Sequence, residues 1–193
     1  MNTFQLFLQL GVEHITDLTG YDHILFLITL CGVYMLKEWR LILILITAFT
    51  IGHSLSLAAS VLQWVTFPSK WIEFLIPITI LITSIGNLFK KDGAISPRFQ
   101  KIKYALALFF GLIHGLGFSN YLKSILDANN LVYPLFSFNV GIEIGQLIIV
   151  SLIVLISTLC TSIFKIVQRD WNLVISGIGL GISFMLAIER LPF

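Results

Sequence analysis

The chain contains 193 residues, of which 57% are hydrophobic and 11% are charged, and its mean hydropathy is +0.95. Soluble domains carry about 25% charged residues, so this composition excludes a water-soluble globular protein. The formal net charge of +2 offers no basic surface of the kind that nucleic acid binding requires, and we expect no nucleic acid partner.

Long stretches without Asp, Glu, Lys or Arg recur along the chain, and most approach the roughly 20 residues that a membrane-spanning helix requires. We therefore predict an all-α fold, a single polytopic membrane bundle over residues 1–193 that contacts membrane lipid. Residues 3–16 are too few for a span and could form a short re-entrant or interfacial helix. Six transmembrane helices are predicted at 22–36, 41–62, 72–89, 104–123, 135–164 and 172–189.

The distribution of basic residues predicts the orientation of the bundle. Nine of the 12 Lys and Arg residues lie in the loops after the first, third and fifth predicted spans, and such residues are enriched in cytoplasmic loops. Both termini are therefore expected on the outer side of the membrane. The longest loop, 90–103, would join two halves of three helices each. Phe49 and Gly52 in one half echo Phe138 and Gly141 in the other, which could reflect a 3+3 inverted repeat like that of many transporters.

Ionisable residues within the predicted spans mark a candidate site, because such groups are costly in hydrocarbon and usually functional. His53 and His114 each lie nine residues before the end of a predicted span, and Glu143 lies eight residues after the start of another. At about 1.5 Å per residue, all three side chains would lie about 12 to 14 Å below the outer surface. This common depth favours one buried site, although a membrane histidine can also serve only as a hydrogen-bonding residue between helices.

A second group of polar residues precedes and begins the first predicted span. Glu13, His14, Asp17, Asp22 and His23 would gather at an outer mouth of the bundle. Imidazole and carboxylate are donors that suit nickel, cobalt or zinc, whereas magnesium prefers oxygen alone. Asp22 could instead do no more than cap its helix.

Two further patterns concern the helices themselves. Asn139, Glu143 and Gln146 share one face of the fifth predicted span and would line a cavity. Pairs of glycines four residues apart allow helix backbones to approach closely, and they occur at 111 and 115, 141 and 145, and 177 and 181.

Four segments together resemble the signature blocks of the HupE/UreJ family. They read GYDHILFL at 20–27, FTIGHSLSLA at 49–58, GLIHGLGF at 111–118 and FNVGIEIGQL at 138–147. Members of this family are described as hydrogenase and urease accessory proteins and as nickel or cobalt permeases of the bacterial inner membrane. The resemblance implies functional positions at Asp22, His23, His53, His114, Asn139, Glu143 and Gln146.

The leading hypothesis is a multi-pass permease of the inner membrane whose substrate is nickel, cobalt or zinc. Metalloenzyme maturation proteins would be its partners inside the cell. The metal ligands would be His14, Asp22, His23, His53, His114 and Glu143, with Glu13, Asn139 and Gln146 as supporting groups. Two alternatives remain open: an intramembrane zinc-dependent hydrolase acting on a lipid or lipid-linked substrate, for which the same residues would activate water, and a scaffold protein whose polar groups only pack the bundle.

Overall fold

The computed structural model describes residues 2–90, 96–125 and 131–193, apart from the side chains of residues 120 and 123. It confirms the predicted all-α fold, since the described residues form seven α-helices and no strand. A short 3-10 turn, Leu36–Glu38, precedes the third helix. The helices are α1 Thr3–Thr16, α2 Asp22–Cys31, α3 Trp39–Val61, α4 Ser69–Leu88, α5 Pro97–Ile125, α6 Val132–Ser162 and α7 Gln168–Glu189.

Five helices, α3 to α7, are long and apolar enough to cross a membrane. The count of six spans is not confirmed, because the predicted span at 22–36 contains only the ten-residue helix α2. A helix of that length extends about 15 Å, half the thickness of the hydrocarbon core.

Helix α2 ends early because side chains of α7 bind the backbone that follows it. The carbonyl of Gly32 accepts a hydrogen bond from Trp171 Nε1 at 3.1 Å, and the carbonyl of Val33 accepts one from Gln168 Nε2 at 3.3 Å. These partners satisfy carbonyls that a helix end would otherwise leave unpaired. The chain can therefore leave the helix inside the bundle, which the apolar run gave no reason to expect.

Helix α1 packs against α6. It begins at a capping box, in which Gln5 N donates to Asn2 Oδ1 at 2.8 Å and Asn2 N donates to Gln5 Oε1 at 3.2 Å. The two helices run parallel through a reciprocal glycine contact: a Cβ at Gly11 would lie 2.1 Å from the Phe138 carbonyl oxygen, and a Cβ at Gly141 would lie 2.1 Å from the Leu8 carbonyl oxygen. Only glycine allows this approach of the two backbones.

Helices α3 and α5 repeat this arrangement. A Cβ at Gly52 would lie 2.1 Å from the Leu108 carbonyl oxygen, and a Cβ at Gly111 would lie 2.2 Å from the Phe49 carbonyl oxygen. The two Phe-x-x-Gly segments, at 49–52 and 138–141, therefore make equivalent contacts with parallel partner helices. The inverted repeat itself stays a prediction.

The third predicted glycine pair differs from the other two. Within the part of the chain that the structure describes, a Cβ at Gly177 or Gly181 would meet no atom within 4 Å. Helix α7 packs antiparallel on α4 through polar contacts instead, and the Asn172 side chain donates to the Asn87 carbonyl at 2.9 Å. Spacing alone could not distinguish a glycine pair at an interface from one on an open face.

The predicted connector 90–103 is shorter than expected because α5 begins at Pro97; residues 91–95 of this connector lie outside the described residues. Lys103, which was counted as a loop residue, is buried in α5. Its Nζ donates to Asn87 Oδ1 at 2.5 Å, and Asn87 Nδ2 donates to the Thr29 carbonyl at 2.6 Å. This network ties α2, α4 and α5 together.

Candidate metal centre

The four histidines of the chain converge between four helices. His14 lies in the last turn of α1, His23 in the first turn of α2, and His53 and His114 within α3 and α5. The ring centroids of His14 and His23 are 4.7 Å apart, those of His14 and His53 are 5.9 Å apart, and those of His23 and His114 are 5.2 Å apart. We call this group of four imidazoles the histidine centre.

Three of these imidazoles lie near one another. One ring nitrogen each from His14, His23 and His53 lies within 4.8 Å of the other two. Because a metal–imidazole bond is about 2.1 Å long, two ligands of one ion are at most about 4.2 Å apart. Three ligands of one tetrahedral ion lie only about 3.4 Å from one another, so the three nitrogens would have to move closer by up to about 1.4 Å to share an ion.

Several ring nitrogens of the centre are buried without a hydrogen-bond partner among the described residues. They are both nitrogens of His53 and the Nε2 atoms of His14, His23 and His114. Buried polar atoms are ordinarily paired, and an unpaired one costs about 1–3 kcal/mol. A neutral imidazole has one lone pair and one N–H, so a metal ion could bind at most one nitrogen of each ring, or four of these five atoms.

The tautomer of His114 is fixed by its own helix. Its Nδ1 lies 2.8 Å from the carbonyl oxygen of Phe110, and a carbonyl can only accept, so Nδ1 carries the proton. The lone pair then lies on Nε2, which is buried and has no partner in the described part of the chain. A metal-binding histidine commonly has its second nitrogen held in this way.

The glycine contacts described above position two of the histidines. Gly11 and His14 in α1, and Gly111 and His114 in α5, are each three residues apart, so each histidine follows the close contact by about one turn. A Cβ at Gly115 would also lie 2.3 Å from the carbonyl oxygen of His53. Close approach of α3 and α5 therefore brings the imidazoles of both helices into one space.

Aromatic rings surround the centre. Phe118 stacks on Phe138 with ring centroids 5.2 Å apart and an interplanar angle of 5°, and the His14 ring lies 3.9 Å from that of Phe118. Phe26 and Phe49 pack against His114 at 5.3 and 5.2 Å. An apolar shell of this kind limits water access and strengthens electrostatic interactions inside it.

Two clefts lead to the centre, and together we call them the mouth. One has a volume of about 490 Å³ and is lined in part by Glu13, His14 and Asp17. The other, of about 320 Å³, reaches His14, His23 and His114, and its other polar lining residues are Asp22, Glu73 and Arg190. His53 is fully buried behind these residues.

Carboxylates line the mouth in different states of pairing. Asp17 is exposed and accepts hydrogen bonds from the Thr19 side chain and, at 2.8 Å, from the Thr19 backbone. These bonds lower the pKa of Asp17, which keeps the carboxylate ionised. Glu13 accepts a hydrogen bond from Gln9 at 2.7 Å. The mouth thus presents negative charge to an approaching cation.

Asp22 forms an ion pair that the sequence did not suggest. Arg190, at the end of α7, donates from Nη1 to Asp22 Oδ2 at 2.8 Å. The other carboxylate oxygen of Asp22, Oδ1, is buried and has no hydrogen-bond partner in the described ranges. The only signal for Arg190 was its place as a basic residue at the end of the last predicted span.

Glu143 lies apart from the histidine centre. Its Oε1 accepts a hydrogen bond from Thr47 at 2.9 Å, and Thr47 lies six residues before His53 in α3. Gln146 Oε1 accepts from Thr50 at 2.8 Å. The structure therefore divides the expected buried set: His53 and His114 join His14 and His23, while Glu143 lies where α3 meets α6.

Asn139 is positioned by its own helix, since its Nδ2 donates to the Leu135 carbonyl at 2.8 Å. The Oδ1 atom of Asn139 and the Nε2 atom of Gln146 are buried with no partner among the residues described. Within the part of the chain described, helix α6 therefore carries one hydrogen-bond acceptor and one donor that are free to bind another group.

Comparison with known proteins identifies the family. No curated protein and no solved structure matches the chain. The family described as HupE / UreJ protein matches residues 1–190, nearly the whole chain. The chain is therefore a member of the HupE/UreJ family.

Proposed function

We propose that the protein is a permease that carries Ni²⁺ or Co²⁺ across the bacterial inner membrane by way of the histidine centre. The observation that supports this most strongly is the convergence of four imidazoles with five buried, unpartnered ring nitrogens among the described residues. The HupE/UreJ family is associated with nickel or cobalt uptake or with accessory functions, which agrees with an imidazole-rich site.

The donor set determines which cations would bind. Imidazole nitrogen suits nickel, cobalt, copper and zinc, whereas magnesium and calcium prefer oxygen ligands. Nickel and cobalt are the first candidates because of the family, and zinc is the third because the donors suit it equally. A centre of this kind would reject the far more abundant magnesium.

Capture would begin at the mouth. The carboxylates of Glu13 and Asp17 would concentrate a divalent cation by long-range attraction. The ion would exchange water ligands first for the imidazoles of His14, His23 and His114, which line the clefts, and would then reach the buried His53. We propose that the mouth faces the outer side of the membrane, as the distribution of basic residues predicts, and this order then describes uptake.

Passage beyond the centre would follow the polar residues of α3 and α6. Thr50 lies three residues before His53 on the same face of α3, and Thr47 lies one further turn before Thr50. They bond to Gln146 and Glu143. We propose Glu143 as the next ligand of the ion, with Asn139 and Gln146 orienting it, and metalloenzyme maturation proteins as recipients in the cytoplasm.

Nickel uptake by proteoliposomes tests this function. We expect His53→Ala and His114→Ala to reduce both nickel binding and uptake by about tenfold or more. Glu143→Gln should reduce uptake but leave nickel binding within about twofold, because Glu143 lies outside the histidine centre.

Cys160→Ala is the control, since Cys160 is a metal-binding type of residue that takes no part in the centre; it should transport normally. Unchanged uptake in both histidine variants would overturn the proposal. Nothing in the comparisons or the described residues supports the hydrolase, and we do not propose it.

A further inference from the structure

The ion pair at the mouth joins a candidate metal ligand to a fixed cation. Asp22 begins α2 and directly precedes His23, and Arg190 follows α7 at the opposite end of the sequence. The exposed fraction of the side chain is 14% for Asp22 and 28% for Arg190. Both line the same cleft as His23 and His114, so Arg190 lies beside one of the two clefts that lead to the histidine centre.

Only one of the two carboxylate oxygens of Asp22 accepts a hydrogen bond from a described residue in this arrangement. Oδ2 accepts from Arg190, while Oδ1 is buried without a partner in the described part of the chain. A buried carboxylate oxygen is costly to leave unpaired. The second oxygen, Oδ1, is therefore the atom that an entering divalent cation would contact first, before it displaces the guanidinium from Oδ2.

From this geometry we infer that Arg190 is a competing counter-ion, which holds Asp22 in the empty protein and must release it when a divalent metal binds. This inference rests on the proposed function, because it assigns to Arg190 the control of entry to the same centre. Arg190 thereby determines which cations can bind at the mouth. A cation binds there only if its interaction with Asp22 and the neighbouring imidazoles is stronger than the interaction of the Arg190 guanidinium with Asp22.

Two electrostatic effects support this role. While the centre is empty, the guanidinium pairs with the carboxylate of Asp22, so α2 does not bring an unpaired negative charge into the bundle. A divalent ion at His23 and His114 would then repel Arg190 across a short distance of low dielectric. Binding of the metal and release of Arg190 are therefore coupled, and loss of the arginine charge should favour the metal.

Calorimetric titration of the detergent-solubilised full chain with NiCl₂ tests this inference. We expect Arg190→Gln to bind nickel about fivefold more tightly than the native chain, and Arg190→Lys, which keeps the charge, to bind with nearly native affinity. The matched control is Arg169→Gln, with the same charge change at the other end of α7. Arg169 donates to the Lys90 carbonyl and, among the described residues, to no carboxylate, so its loss should not alter nickel affinity.

A double-mutant cycle identifies Asp22 as the competed group. In an Asp22→Asn background, Arg190→Gln should increase nickel affinity by less than it does in the native chain, because only the direct repulsion between the metal and Arg190 is then removed. Weaker or unchanged binding by Arg190→Gln, or an equal gain in the Asp22→Asn background, would overturn the inference. If the native chain binds no nickel at all, the proposed function fails instead, so the two failures are distinguishable. Thermal unfolding of each variant without metal verifies that it is folded.

Discussion

His53 differs from an ordinary core histidine in that neither of its ring nitrogens is paired. Both are buried with no hydrogen-bond partner among the described residues, whereas His114 donates to a backbone carbonyl. A histidine that served only to join helices would use at least one nitrogen for that purpose. The nitrogen of His53 that carries the lone pair is therefore available to a metal ion, because no hydrogen-bond donor among the described residues occupies it.

Replacement of His53 by leucine should separate these two roles. We expect His53→Leu to abolish the stabilisation by nickel, while the metal-free protein keeps or gains stability, because two unpaired polar atoms are removed, each costing about 1–3 kcal/mol. Thermal unfolding with and without NiCl₂ measures both effects.

Asn87→Leu is the matched control at a buried polar residue whose side chain is paired on both sides. It should destabilise the protein by about 1–3 kcal/mol or more, since Lys103 and the Thr29 carbonyl lose a partner, and it should leave the nickel response intact. A His53→Leu variant that is destabilised like Asn87→Leu, yet still responds to nickel, would contradict the assignment.

The sequence identified the histidines but could not show how they combine. The prediction of two sites, one at the mouth and one buried, rested on residue depth within six straight spans. The chain instead folds α1 and α2 so that His14 and His23 meet His53 and His114 directly. The pairing of Glu143 with Thr47 depends on where α3 crosses α6, which residue spacing within one helix cannot reveal.

Among the helices, the close contacts of α1 with α6 and of α3 with α5 determine the shape of the centre. Each contact relies on glycines whose missing Cβ makes room for a carbonyl oxygen of the partner. Sequence spacing predicted two of these contacts correctly, at 111 and 115 and at 141 and 145. Gly11 and Gly52, which complete them, have no glycine four residues away and were missed for that reason.

Alanine at Gly11 should therefore separate α1 from α6. A Cβ there would lie 2.1 Å from a carbonyl oxygen, so one backbone must move, and we expect Gly11→Ala to destabilise the protein by about 1–3 kcal/mol and to weaken nickel binding through displacement of His14. Thermal unfolding and nickel titration of the variant measure these changes.

The control is Gly177→Ala, where a Cβ would meet no atom within 4 Å in the described ranges. Alanine favours the helix by about 1 kcal/mol over glycine, so this variant should be slightly stabilised and should bind nickel normally. Equal behaviour of the two variants would show that the α1–α6 contact does not position the centre.

For the molecule as a whole, composition sufficed to predict an all-α membrane bundle, because 11% charged residues cannot cover a soluble domain of this size. The number of spans was less accessible. An apolar run predicts burial, and burial within protein or within lipid has the same signature in the sequence. Helix α2 is apolar because it lies inside the bundle, and Leu27 and Leu30 are almost fully buried.

The histidine centre belongs to the whole molecule, since its four residues come from α1, α2, α3 and α5 and only the complete fold brings them together. X-ray absorption at the nickel edge, on the full chain loaded with one equivalent of Ni²⁺, tests this claim most directly. Our account predicts nitrogen ligands at about 2.1 Å together with the outer-shell scattering of at least three imidazole rings. A first shell of oxygen alone, or no nickel retained by the folded protein, would contradict it.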